Sequence, residues 1–148
     1  MSKGTEKRSK EASKYQEYND FIRQIEITDM RLISAKIDNL SFMDFPSSNQ
    51  ITWRTKSWYE NKEGEFEAFH RYNMVIKDTE KDKPAARLSV TFCATYSSDI
   101  PMSDQLFDIF EGRNLPVNTW PYFREFTHNS FARMGWAGVV APTYKSQV

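Results

Sequence analysis

From Leu88 to Ser97 the chain alternates without a lapse, with Leu88, Val90, Phe92, Ala94 and Tyr96 on one side and Ser89, Thr91, Cys93, Thr95 and Ser97 on the other. A period of two over such a length fits an extended strand with an apolar face that must be covered and a polar face that need not be. Three earlier runs share the pattern more loosely. Met30, Leu32, Ile33, Ala35 and Ile37 sit among polar residues between Asp29 and Asn39. Ile51, Trp53, Thr55, Ser57 and Tyr59 alternate with Thr52, Arg54, Lys56 and Trp58. Ala68, His70, Tyr72, Met74 and Ile76 share a face opposite Arg71, Asn73 and Lys77. The segments between the last three runs, Glu60 to Gly64 and Asp78 to Pro84, have turn composition, and Phe42 to Asn49, with Pro46 and a Ser-Ser pair, reads as a loop. Short connections predict a four-stranded antiparallel meander.

Helices flank the strands. Tyr15, Tyr18, Phe21, Ile22 and Ile25 recur at three- and four-residue intervals, predicting a short helix from about Ser13 to Ile25. Ahead of it, Lys3, Lys7, Arg8, Lys10 and Lys14 outnumber Glu6 and Glu11, and large apolar side chains are lacking. Residues 1–13 are expected to be a disordered charged tail, with 14–148 forming one domain. After the strands, Met102 to Glu111 predicts a short helix capped by Ser103 and ended at Gly112, with Asn114-Leu115-Pro116 as an interruption. Asn118 is the expected N-cap of a long amphipathic helix from Thr119 to Met134, with Pro121 in its first turn and a stop at Gly135. Trp120, Phe123, Phe126, Phe131 and Met134 form its apolar stripe. The fold class is α+β.

Twenty basic and twenty acidic side chains leave a formal charge of zero, which gives no electrostatic basis for binding nucleic acid. Cys93 is the only cysteine, so neither an intramolecular disulfide nor a multi-cysteine zinc site is available, and a reducing cytoplasm is expected. No apolar stretch approaches the ~20 residues of a membrane span. Aromatic residues make up 15% of the chain, more than one small core hides, so some rings are expected at interfaces or in grooves.

Catalytic chemistry finds little support. His70 falls on the apolar face of its strand, as a hydrogen-bonded core histidine would. His128 falls on the polar face of the long helix. Neither has metal-motif spacing, no glycine pattern cradles a phosphate, and Glu60, Glu63, Glu65 and Glu67 read as a solvated hairpin. Cys93 reads as a structural thiol. No catalytic residue, metal or cofactor is expected.

The run Trp120-Pro121-Tyr122-Phe123-Arg124-Glu125-Phe126, then Phe131-Ala132-Arg133-Met134-Gly135 and an apolar, proline-containing tail, resembles the main helix and crossover loop of the SecB family of export chaperones. Gln24 to Leu32 is similar to that family's first strand, and the likeness spans roughly residues 21–144. It implies an ATP-independent holdase that binds unfolded or preprotein clients in apolar grooves, assembles as a dimer of dimers, and hands clients to the SecA motor. Some relatives instead guard antitoxins. By position, Trp120, Phe123, Phe126, Phe131 and Met134 belong to the packing helix. Trp136, Val139, Val140 and Tyr144 belong to a client-binding loop, with Trp53 and Trp58 lining the groove, and Asp29 takes the first SecA-docking carboxylate position. Ile33 takes the second. The family continues into a second helix where only four residues follow Tyr144 here, so a shortened groove wall is expected. The readings that compete are a dedicated chaperone of one client, such as an antitoxin, and a small α+β enzyme with an aromatic-lined pocket.

Overall fold

The computed structural model describes residues 2–139. Its elements run α1 (Ser2–Gln24), β1 (Glu26–Asn39), β2 (Asn49–Lys62), β3 (Glu65–Asp78), β4 (Lys83–Ser97), α2 (Asp104–Phe110) and α3 (Asn114–Arg133). One antiparallel sheet has the order β1-β4-β3-β2. The meander therefore holds for β2, β3 and β4, whereas β1 pairs with β4 at the far edge, a Greek-key arrangement. Residues 40–48 make the crossing, passing the end of the sheet where Asn39 pairs with Ala86 and Asn49 with Asp78. Three strand spacings, roughly 14 Å, separate the two edges, well within the reach of that loop.

All three helices lie on one face of the sheet, and the core divides along the strands. At one end α3 covers Tyr72, Met74, Ile76, Leu88, Val90 and Phe92. At the other, Tyr18 and Phe21 of α1 and Leu106, Phe107 and Phe110 of α2 cover Phe66, Ala68, Ala94 and Tyr96. The rings mesh by stacking and edge contacts: Phe123 stacks on Tyr72 at 4.3 Å between centroids, and Phe110 meets Phe66 edge-on at 5.6 Å.

Two helix starts differ from expectation. α1 starts at Ser2 instead of Ser13, so residues 2–13 continue the helix, although the side chains described there are all exposed. Lys, Glu, Arg and Ala are strong helix formers, and once Tyr18 and Phe21 have fixed a packed nucleus each further turn costs little. α3 starts at Asn114, not Thr119. Pro116 lies in its first turn, where a missing N–H costs no intrahelical bond, so the supposed interruption is the helix start. Asn118 consequently is not a cap, and its side chain instead donates to the Tyr96 hydroxyl at 2.7 Å. Pro121 is inside the helix, on its exposed side with Val117, whose carbonyl the ring deprives of the usual donor. The stop holds: Gly135 has φ +81°, the left-handed conformation that suits glycine after a helix.

The short helix α2 begins as its sequence indicates, with the Ser103 Oγ accepting from the Leu106 N–H at 3.2 Å. Ser103→Ala should lower stability by about 1 kcal/mol without altering the fold. Chemical denaturation would check this, and an unchanged midpoint would mean that tertiary packing alone holds α2.

Candidate functional site

Trp120, Phe123 and Phe131 are buried, and Phe126 and Met134 are partly buried against the same cluster. Thr119, Thr127 and Ser130 complete the buried stripe. Thr119 bonds the Tyr72 hydroxyl at 2.7 Å, which lets a tyrosine sit in the core with its polar end satisfied.

Trp136 occupies a different place from the one its loop position suggests. It is 2% exposed, packs edge-on against Phe45 at 5.3 Å and against Phe131 at 5.8 Å, and donates from Nε1 to the Met43 carbonyl at 2.9 Å. It is a core residue that fastens the β1–β2 loop to the end of α3, and so is not an open client anchor. Val139 packs partly buried against the same cluster. Val140 and Tyr144 lie outside the described residues.

Trp53 and Trp58 lie on opposite faces of β2, so they cannot line one groove. Trp58 stacks on Phe69 of β3 at 5.3 Å, with the Arg71 guanidinium 5.1 Å from its ring, on the face without helices. Trp53 is on the helix side, 5.7 Å from Trp120 and still 45% exposed. Asp29, on the open face of β1, is ion-paired with Arg31 two residues on.

α3 is too narrow to cover both sheet edges, and the apolar face therefore continues past it on each side. On the β2 side Ile51 and Trp53 extend the core surface outward. On the β1 side Leu32 pairs in register with Phe92, which Tyr122 of α3 approaches at 6.3 Å. Leu32 and Tyr122 are each 49% exposed. At the crossing loop Phe42 is 85% exposed with φ +56°, beside an exposed Met43. A non-glycine residue in that conformation costs about 1–2 kcal/mol. The loop is held regardless by Phe42 N–H to Asn39 Oδ1 at 3.1 Å and by the Trp136 bond. Apolar side chains left in water beside a core offer surface whose burial is favourable. Sequence reasoning missed Leu32, Tyr122, Phe42 and Met43. The adjacent Phe42-Met43 pair in a polar loop was the one visible signal.

Burial holds His70 and Cys93 in their neutral forms. His70 is 2% exposed, its Nδ1 bonded to Ser57 at 2.8 Å, and burial lowers its pKa to about 4. Burial, and then the Glu67 carboxylate that its thiol contacts, push Cys93 up to about 12, so it stays a thiol. His128 is exposed on the outer side of α3. Among the described residues no group of three or more His, Cys, Asp or Glu side chains is placed to hold a metal ion, and no helix is long and apolar enough to cross a membrane.

No family model and no curated protein matches the sequence. Among solved structures, the Mycobacterium tuberculosis SecB-like chaperone Rv1957, in complex with a ChAD peptide from the Rv1956 HigA1 antitoxin, matches with a TM-score of 0.77. The alignment covers 89% of this chain and 99% of that one at 11% identity. Identity that low speaks to the fold alone: four antiparallel strands with helices on one face, in the arrangement of a SecB-like chaperone.

Proposed function

We propose that the protein is an ATP-independent holdase chaperone of the cytoplasm, without catalytic activity, which binds non-native polypeptide segments on the apolar flanks of α3. The observation that carries this reading is the pair of exposed apolar surfaces continuous with the core, Ile51 and Trp53 on one side and Leu32 and Tyr122 on the other. A client covering them gains roughly 25 cal/mol per Å² of apolar surface removed from water, which needs no nucleotide. Both edge strands also present unpaired backbone groups, so an extended client segment, or β1 or β2 of another copy, can pair with them. Assembly as a dimer of dimers fits that arrangement.

A dedicated client is the second reading. The antitoxin peptide bound by the structurally similar Rv1957 supports it. For general export, Asp29 would have to dock SecA, yet Arg31 on the same strand already engages it. The dedicated branch is therefore the better supported.

The test is aggregation of a chemically denatured protein, diluted without nucleotide beside stoichiometric chaperone and followed by light scattering. Suppression is expected. Trp53→Ala and Tyr122→Ala should each weaken client binding by about 1 to 2 kcal/mol, roughly five- to thirtyfold in Kd, with unchanged thermal stability. Unslowed aggregation would leave only the dedicated-client reading, and full binding by both variants would move the site off these flanks.

A further inference from the structure

A formal charge of zero conceals how the sheet sorts its charges. Side chains that alternate with the core residues of each strand point to the face without helices, where strand register sets them in rows. Toward the β2–β3 turn that face carries Asp29, Glu60, Glu65 and Glu67 beside the cations Arg31 and Lys62. These acids are answered within the chain. Arg31 pairs with Asp29 and Lys62 with Glu67, and the Lys62 ammonium is held above its ordinary value by Glu67 first and by Glu60 and Glu65 as well.

Toward the crossing loop the balance inverts. Lys36, Arg54, Lys56, Arg71 and Arg87 share that half of the face with one carboxylate, Asp38. Asp38 lies 3.9 Å from Lys36, and Lys77 at the rim is taken by Asp82. Among the described residues no carboxylate comes within ion-pair distance of Arg54, Lys56 or Arg87. Lys56 pairs in register with Arg71. Like charges set opposite on neighbouring strands are destabilising, a cost that an anion laid over both removes. Ser34, Asn73, Ser89 and Thr91 fill the spaces between the cations, with the Arg71 Nε–H donating to the Thr91 hydroxyl at 3.1 Å. At the border of the two halves Trp58 and Phe69 stack at 5.3 Å, and the Arg71 guanidinium lies 5.1 Å from the Trp58 ring.

We propose that this half of the open face binds single-stranded nucleic acid, with phosphates on Arg54, Lys56, Arg71 and Arg87 and unpaired bases toward the Trp58–Phe69 rings. Hydroxyl and amide groups set among arginine and lysine are the donors that phosphate and sugar oxygens take. The rings add the π surface on which unpaired bases stack, and which an acidic polypeptide does not require. Neighbouring side chains stand ~4.8 Å apart across the strands and ~6.7 Å apart along them, on a flat face that offers no helix or ribbon to a duplex groove. A single strand is therefore the better fit. The patch is on the opposite side of the sheet from α3, so it does not rest on the client-binding reading.

Fluorescence anisotropy of the full chain with a labelled single strand of about 12 nucleotides and mixed sequence, as RNA and as DNA, tests this. Four phosphate contacts give log K against log salt a slope of about −2.8, so affinity should fall about fiftyfold between about 0.05 M and 0.2 M sodium chloride. Arg54→Gln, Lys56→Gln and Arg87→Gln should each flatten the slope by about 0.7 and weaken binding by up to about tenfold at the lower salt. Thermal stability should not change. Lys7→Gln and Lys10→Gln, on the exposed part of α1, should leave affinity and slope as they are. The same sequence as a duplex should bind less tightly, and poly-glutamate at equal charge concentration should displace the labelled strand far less than unlabelled strand does. No change in anisotropy at the lower salt would overturn the proposal. So would a slope unmoved in the three face variants, a loss that follows the α1 lysines, or a preference for the duplex. Displacement by poly-glutamate equal to that by the strand would also overturn it, and would assign the face to an acidic polypeptide.

Discussion

Trp136→Ala should destabilise the domain by about 3 to 5 kcal/mol, and Phe123→Ala by a similar amount. Phe123 is fully buried and stacks on Tyr72, so its truncation leaves a cavity between α3 and β3. Trp136 loses its contacts with Phe45 and Phe131 together with the bond to the Met43 carbonyl. Loss of that half-buried hydrogen bond adds to the cavity term. Both effects fall on the crossing loop, so Trp136→Ala should also loosen residues 40–48 and weaken whatever client contact Phe42 and Met43 make. Denaturant midpoints for the two variants check the first claim, and amide exchange in residues 40–48 the second. A Trp136→Ala protein with the parent midpoint and protection would return that ring to the role its position after the helix suggested.

Stability should fall on acidification between about pH 6.5 and pH 4, on account of His70. The folded-state pKa, about 4, lies below the unfolded value of about 6.5, so within that window the unfolded chain binds a proton that the native one does not. The loss is complete below about pH 4 and absent above about pH 6.5, and a shift of this size is worth on the order of 3 kcal/mol. Protonation is opposed because the ring is buried, with Ser57 bonded to Nδ1 and Tyr72 edge-on at 4.6 Å. Glu67, held low chiefly by the Lys62 ammonium, and Asp82, held low by Lys77, lose stability only further down, as acid reaches the ordinary carboxylate range. Urea midpoints for the parent and a His70→Gln variant isolate the histidine: the parent's slope across the window should flatten in the variant. Equal slopes would show that His70 accepts a proton in the native state.

Much of the candidate site was written in the alternation and much of it was not. The stripe from Trp120 to Met134 was legible because a helix repeats every 3.6 residues and a buried face needs no further information to be recognised. The same logic put His70 in the core and Ser103 at a helix start. Trp136 was misplaced because an irregular segment has no period, and nothing local distinguishes a ring that roofs a groove from one that plugs a core. Trp53 and Trp58 show the reverse: their odd and even numbers placed them on opposite faces, and grouping them in one groove set aside what the period already said.

The amino-acid sequence by itself determined the elements and the direction in which each side chain leaves its own strand or helix. That much follows from local geometry and from the demand that apolar faces be covered. The tertiary structure decided what lies beyond each side chain. It set β1 beside β4, because residues 40–48 are long enough either to turn back or to cross the end of the sheet, and the crossing is held by the β1–β4 ladder, by the Leu40 N–H on the Ala85 carbonyl and by the packing of Phe45 on Trp136. It left Leu32, Trp53 and Tyr122 uncovered, because one helix cannot span a four-stranded face. It also brought Glu60 beside Glu67 and Lys56 beside Arg71, since strand register, a non-local quantity, turns two separate charge patterns into rows.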